Sequence, residues 1–176
     1  MREWKADRTN ERMTMVLLRK ARSADVAAIN SIYNDAVLKT VATMDTVPRS
    51  LPEHRRWFKD HGTKYPVIVA ELEGEVVGWA SLSKWSEKVG YARTVEVSVY
   101  VDESHRGRGF GRTLLEAIVE EGRRAGFHVL VSRIVKGTDV SIRLHRKLGF
   151  RKAGVMREAG RKFGKWLDVL VYQKNF

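Results

Sequence analysis

The chain contains no cysteine, which excludes a disulfide framework, a thiolate metal site and a covalent thiol mechanism. Long apolar runs are also missing, so no segment approaches a membrane span and the chain reads as soluble and cytoplasmic. The opening residues, MREWKADRTNERMTM, mix both charge signs and lack the apolar stretch of a secretory signal. Residues 1–14 therefore read as a flexible extension, with Met13 or Met15 as a candidate start. Histidines 54, 61, 105 and 128 show no paired ligand spacing, and no metal is expected. Internal repeats, low-complexity segments and linkers are absent as well.

What is present fits one domain: 176 residues are enough to bury a core and too few to suggest a second unit. Lys and Arg number 33 against 21 Asp and Glu, a formal charge of +12. That excess favours polyanionic ligands. It suits a phosphorylated cofactor and a nucleic acid equally, and a basic or heat-adapted proteome would produce it too.

Residues 15–22 (MVLLRKAR) read as a strand, with Ser23 as N-cap of an amphipathic helix carrying Val26, Ile29, Tyr33 and Val37 on one stripe. Ser50, Pro52 and Glu53 spell a capping-box start for a short second helix. The loop between, roughly 40–49, is a candidate substrate wall. YPVIVAEL and EVVGWASL flank Gly74 as a hairpin, and Thr94–Val101 alternates as a further strand. Arg112–Ala125 has helical spacing and stops at Gly126. A strand (HVLVSRIV), a helix ending in LGF, a short strand near Ala153–Met156 and a last strand (WLDVLVYQ) follow. The order predicts a single α/β domain with a mixed sheet and helices on both faces.

Arg106–Gly111 reads R-G-R-G-F-G between a strand and a helix, where unpaired N–H groups and glycines suit a pyrophosphate. A Rossmann turn fails because Arg112 or Leu114 stands where the third glycine is needed, and a P-loop lacks its G-K-[ST]. The spacing fits R-x-x-G-x-G and resembles the acetyl-CoA signature of the GNAT N-acetyltransferases, though a purely structural glycine-rich turn has the same letters. Residues 137–150, GTDVSIRLHRKLGF, resemble the second GNAT signature through Ser141, Leu144, His145, Gly149 and Phe150. Thr138 stands where that family carries an asparagine that bonds the pantetheine arm, and its single hydroxyl cannot replace both amide groups. With IYNDAV, TVEVSVYV and KFGKWLDV in the same order, the chain from residue 15 to 176 is similar to the phosphinothricin and methionine sulfoximine acetyltransferase branch.

The resemblance implies a twisted sheet whose two central parallel strands splay apart to admit acetyl-CoA, a small primary-amine substrate and a homodimer. Transfer would be direct, in a ternary complex. Val99, Tyr100 and Val101 would face the pantetheine arm, and Arg106, Gly107, Arg108, Gly109, Phe110, Gly111 and Arg112 the pyrophosphate, with Thr138 and Ser141 beside the cofactor. The N–H of Val97 would serve the oxyanion.

Glu96 shares a strand face with Thr94, Ser98 and Tyr100, opposite four valines. It matches the acid of that branch, so desolvation would suit it as general base for the substrate ammonium; a solvated strand glutamate is the plain alternative. His145 would act as acid or base, or simply be a satisfied helix histidine. Ser83, Lys84 and Arg93 are candidate substrate contacts beside Glu96, the two cations also suiting a solvated surface. Trp79, Trp85 and Tyr91 would wall the pocket or join the core. Two other readings stay open: a GNAT enzyme for protein N-termini or polyamines, and a basic nucleic-acid or ribosome-associated module. The second lacks any zinc spacing, RRM signature or basic aromatic platform.

Overall fold

A computed structural model describes Glu3–Trp4 and residues 16–176. One mixed sheet runs through it in the order β1-β2-β3-β4-β5-β6-β8-β7. Its strands are β1 (Glu3–Trp4), β2 (Val16–Lys20), β3 (Val67–Leu72), β4 (Glu75–Lys84), β5 (Thr94–Val101), β6 (Val129–Val135), β7 (Arg151–Lys162) and β8 (Lys165–Asn175). The helices are α1 (Val26–Lys39), α2 (Leu51–His61), α3 (Phe110–Arg124) and α4 (Asp139–Lys147). Of the extension expected over 1–14, only Glu3–Trp4 is described, as a strand paired with β2; the rest lies outside the described residues.

The period-2 alternation of β5 sorts its side chains to two different cores. Val95 and Val97 pack with Leu114, Leu115 and Ile118 of α3, all nearly inaccessible. Burying each such side chain stabilises the fold by roughly 1.5–3 kcal/mol. On the opposite face, Trp79 joins Ile29, Tyr33 and Val37 of α1, with Trp57 of α2 and Tyr100 of β5 packed against them.

All neighbouring strands pair antiparallel except β5 and β6. These two are parallel and share only Thr94↔Val129, Val95↔Leu130 and Glu96↔Val131. Beyond Glu96 they part, although β5 continues to Val101 and β6 to Val135. The splay expected from the resemblance is therefore in the sheet, and it begins at Glu96.

Local details depart from the sequence reading in three places. Ser23 opens a short 3-10 turn rather than capping α1; Asp25 accepts from the Arg22 N–H at 2.6 Å and from Arg19 at 2.6 and 2.8 Å. The first turn of α3 starts at Phe110, two residues earlier than its apolar spacing suggested. The strand expected over Ala153–Met156 extends from Arg151 to Lys162. Register shifts at Lys152/Gly154 and Met156/Gly160 break its alternation, which hides a long strand from a pattern of period two. Ser50 and Glu53 do form the reciprocal capping box, and Gly126 takes a left-handed φ of 77°.

Candidate active site

A cavity of about 700 Å3 opens where β5 and β6 part. Thr40, Ala42, Thr43, Met44, Asp45 and Arg49, from the loop considered as a substrate wall, line it together with Trp57 and Trp79. Its floor is a ladder of cross-strand pairs, Trp79↔Tyr100, Ser81↔Ser98 and Ser83↔Glu96.

Glu96 sits at the mouth of the splay, about one-fifth exposed. Arg133 of β6 grips it in a fork, donating from Nε at 2.6 Å and Nη2 at 2.7 Å. The ion pair holds the guanidinium above its usual arginine range, first through these hydrogen bonds. Sequence reasoning missed Arg133; a charged residue in the middle of the apolar strand HVLVSRIV was the available signal. Its guanidinium also lies 5.8 Å from the Trp85 ring centre. The carboxylate, whose candidate role was argued from desolvation, is partnered by Arg133, with each oxygen keeping a further lone pair for the cavity.

His145 is buried in α4, on the other side of the sheet. Its Nδ1 lies 2.9 Å from the Ser141 carbonyl, which can only accept, so Nδ1 carries the proton and Nε2 accepts from the Ser132 hydroxyl at 2.9 Å. Burial pushes this imidazole below the usual histidine range. His145 is therefore a neutral ring whose acceptor faces Ser132. It is not poised as a proton donor at Nε2. Both Ser132 and Ser141 line the cavity.

At the far end, Gly107 and Gly109 take φ of 79° and 91°, conformations that L side chains avoid, and Gly109 caps α3. Among the described residues, no acceptor takes the N–H groups of Gly107, Arg108, Gly109, Phe110 or Gly111. Five free donors at the start of a 15-residue helix form an anion cradle. Arg106 donates to the Val101 carbonyl at 3.2 Å, closing the turn against β5. Phe110 can contribute only its backbone, because its side chain is in the core. Arg112 pairs with Glu116 at 2.7 Å, and Arg108 lies over the Phe110 ring.

Val99, Tyr100, Val101, Gly111, Thr138, Ser141 and Ser83 all line the cavity. Thr138 spends its hydroxyl proton on the Val135 carbonyl, so the donor role of an asparagine is not replaced there. Ser83 bonds His61 at 3.0 Å. Lys84 and Arg93, considered for substrate recognition, are engaged elsewhere: Lys84 pairs with Glu87 and Arg93 donates to the Gly126 carbonyl at 2.9 Å. Arg49, Arg106 and Arg133 are the cations that line the cavity. Tyr91 is exposed outside it.

The acetyltransferase (GNAT) family matches residues 27–150. An L-methionine sulfoximine/L-methionine sulfone acetyltransferase of Pseudomonas aeruginosa is 44% identical over 160 residues, covering 90% of this chain and 93% of the relative. The structure of a ribosomal-protein-alanine N-acetyltransferase from Brucella melitensis superposes with a TM-score of 0.89 at 42% identity, covering 91% and 99% of the two chains. A GNAT phosphinothricin acetyltransferase from Sinorhizobium meliloti, solved with acetyl-CoA, gives 0.88 at 36% identity over 92% and 88%. The splayed strands and the cradle of free N–H groups fit a pantetheine arm and a pyrophosphate, so the cofactor is acetyl-CoA. With its sheet, cradle and family match in agreement, the chain belongs to the GNAT family of acetyltransferases.

Proposed function

We propose that this enzyme acetylates the α-amine of a small amino-acid-like substrate of the methionine sulfoximine or phosphinothricin type, by direct transfer from acetyl-CoA. The reading rests on one observation: Arg133 stands fork-on-fork against Glu96 inside the cavity. A free amino acid is a zwitterion, and an adjacent carboxylate and guanidinium match its ammonium and carboxylate. Bound at the cradle, acetyl-CoA supplies the acetyl thioester. The protein's part is to fix the amine beside it, and such orientation is worth up to roughly 7–11 kcal/mol in favourable cases. Glu96 receives the ammonium proton, directly or through a water. Arg133, Arg106 and Arg49 help by disfavouring a further positive charge in the cavity. His145 and Ser132 hold the opposite side of the gap.

The second reading, acetylation of protein N-termini, is favoured by the likeness to the ribosomal-protein-alanine enzyme. An N-terminal residue has no free α-carboxylate to offer Arg133. Thiol release is therefore measured with methionine sulfone, its carboxamide and an alanine-starting peptide. The free acid should exceed both others by at least about tenfold in kcat/KM, roughly 1.4 kcal/mol. Equal rates with the peptide would transfer the assignment to protein N-termini.

The enzyme is proposed to work as a cytoplasmic homodimer. Use of acetyl-CoA, a cytoplasmic metabolite, supports the compartment. β7 lies at the sheet edge, and Val155, Met156, Phe163 and Trp166 are exposed on the β7–β8 hairpin. A long edge with apolar side chains is a pairing surface. Sedimentation should give twice 20.2 kDa; a monomer at micromolar concentration would refute the dimer.

A further inference from the structure

Three buried side-chain polar atoms lack a hydrogen-bond partner among the described residues: His54 Nε2, Trp79 Nε1 and Ser81 Oγ. Each residue is at most 2% exposed, and all three line the same cavity. Buried donors and acceptors are rarely left unpaired. Three on one wall point to a shared partner.

Their chemistry can be read from their neighbours. His54 Nδ1 lies 2.9 Å from Asn30 Oδ1, an oxygen that also accepts from Asn34 Nδ2 at 3.4 Å. Nδ1 therefore donates and Nε2 is a lone pair. Burial first, then the charges of Arg49 and His61, push the ring down to about 4, so it is neutral in ordinary conditions. The same tautomer recurs at His61, where Nδ1 donates to the Trp57 carbonyl at 2.8 Å and Nε2 accepts from Ser83. His145 repeats it with Ser132. Of these three histidines, His54 is the one whose Nε2 has no serine partner among the described residues. The wall thus offers one acceptor (His54), one donor (Trp79, whose ring meets His54 edge-on at 6.2 Å) and one hydroxyl able to do either.

We infer that His54, Trp79 and Ser81 form the side-chain subsite of the acceptor pocket, selecting an uncharged polar group that carries both a hydrogen-bond donor and an acceptor. The inference rests on the amino-acid reading above, which fixes the α-amine at Glu96. Ser83 is the cross-strand neighbour of Glu96, and Ser81 is two residues further along the same face. That is about 7 Å at roughly 3.4 Å per residue, the reach of a polar group a few bonds beyond Cα. An aliphatic end would leave all three atoms unpaired. An anionic end would set its lone pairs against Nε2. A sulfoximine, with S=O and S=N–H, satisfies the donor and the acceptor together, whereas the near-isosteric sulfone has no proton for His54.

The test compares L-methionine sulfoximine, L-methionine sulfone and norleucine on the wild type, His54→Phe and Trp79→Phe. Two quantities are read: kcat/KM by thiol release, and Kd by calorimetry in the presence of coenzyme A. In the wild type the sulfoximine should lead the sulfone by about tenfold, with norleucine last. His54→Phe should bring sulfoximine and sulfone within twofold. Trp79→Phe should weaken both relative to norleucine, which keeps the test open should His54→Phe not fold. If all three compounds behave alike in the wild type, the trio holds internal water only and the inference falls. Equal turnover of all three overturns the subsite while leaving amino-acid acetylation intact. A calorimetric preference without any turnover overturns the acetylation reading and leaves the subsite standing.

Discussion

Replacing Glu96 by glutamine is expected to lower kcat by about a hundredfold or more, the usual range for losing a general base. Acetyl-CoA affinity should stay within about twofold, because the cradle at Gly107–Gly111 is separated from Glu96 by the length of β5. The amide keeps the shape of the side chain, and its oxygen can still accept one bond from Arg133. The fold should therefore survive, helped by the half-exposed position of the guanidinium. What the amide cannot do is receive a proton from the substrate ammonium, and only the neutral amine attacks a thioester. The rate of the variant should recover as pH rises and the amine loses its proton to solvent instead. Steady-state thiol release across pH, with acetyl-CoA binding measured separately, makes the comparison. An unchanged kcat over the whole range would remove Glu96 from the chemistry and leave it as the anchor of Arg133.

The two halves of that ion pair were unequally visible in the sequence. Glu96 stood out because strict alternation put a carboxylate opposite four valines, and period-2 patterning survives into the fold without change. Arg133 lies 37 residues away on a strand that becomes a neighbour only through the α3 crossover. No local pattern states which strand lies beside which. The same limit hid His54, which the capping box places securely on α2 but whose partners come from α1 and β4. Lys84 and Arg93 were attractive for the opposite reason: they are near Glu96 in sequence, yet their groups turn to Glu87 and to the end of α3.

His145 illustrates a different gap between pattern and chemistry. Its i+4 spacing from Ser141 correctly puts both on one face of α4, but the bond that forms goes to the Ser141 carbonyl. That single contact fixes the tautomer and turns Nε2 into an acceptor for Ser132, a residue of β6. Residue type alone left acid, base and structural roles equal. The hydrogen-bond partners set the His145 ring toward Ser132, and Glu96, on the opposite face, is the residue proposed to meet the amine.

Gly109→Val should abolish most acetyl-CoA affinity, raising Kd at least about tenfold, in a protein that still folds. At φ 91° a β-branched residue is strained. Apart from its chain neighbours, an added Cβ would meet no protein atom within 4 Å, so it would project into the open side of the turn. That is the side a pyrophosphate must approach to reach the free N–H groups of Gly107–Gly111. Strain alone predicts lower stability, whereas strain plus obstruction predicts lost binding as well. Gly164→Val separates the two, since Gly164 also has a positive φ, of 75°, and equally open surroundings, but lies in the β7–β8 turn away from the cradle. Both variants should melt earlier than the wild type. A ligand at 100 times its Kd stabilises by about 2.7 kcal/mol, so saturating acetyl-CoA should raise the Tm of the wild type and of Gly164→Val by several degrees. At the same concentration a tenfold weaker Kd leaves only about 1.4 kcal/mol, so the upshift of Gly109→Val should be about half that of the wild type or less. If Gly109→Val keeps the full upshift, the R-G-R-G-F-G turn serves the fold only and the phosphates must be held elsewhere.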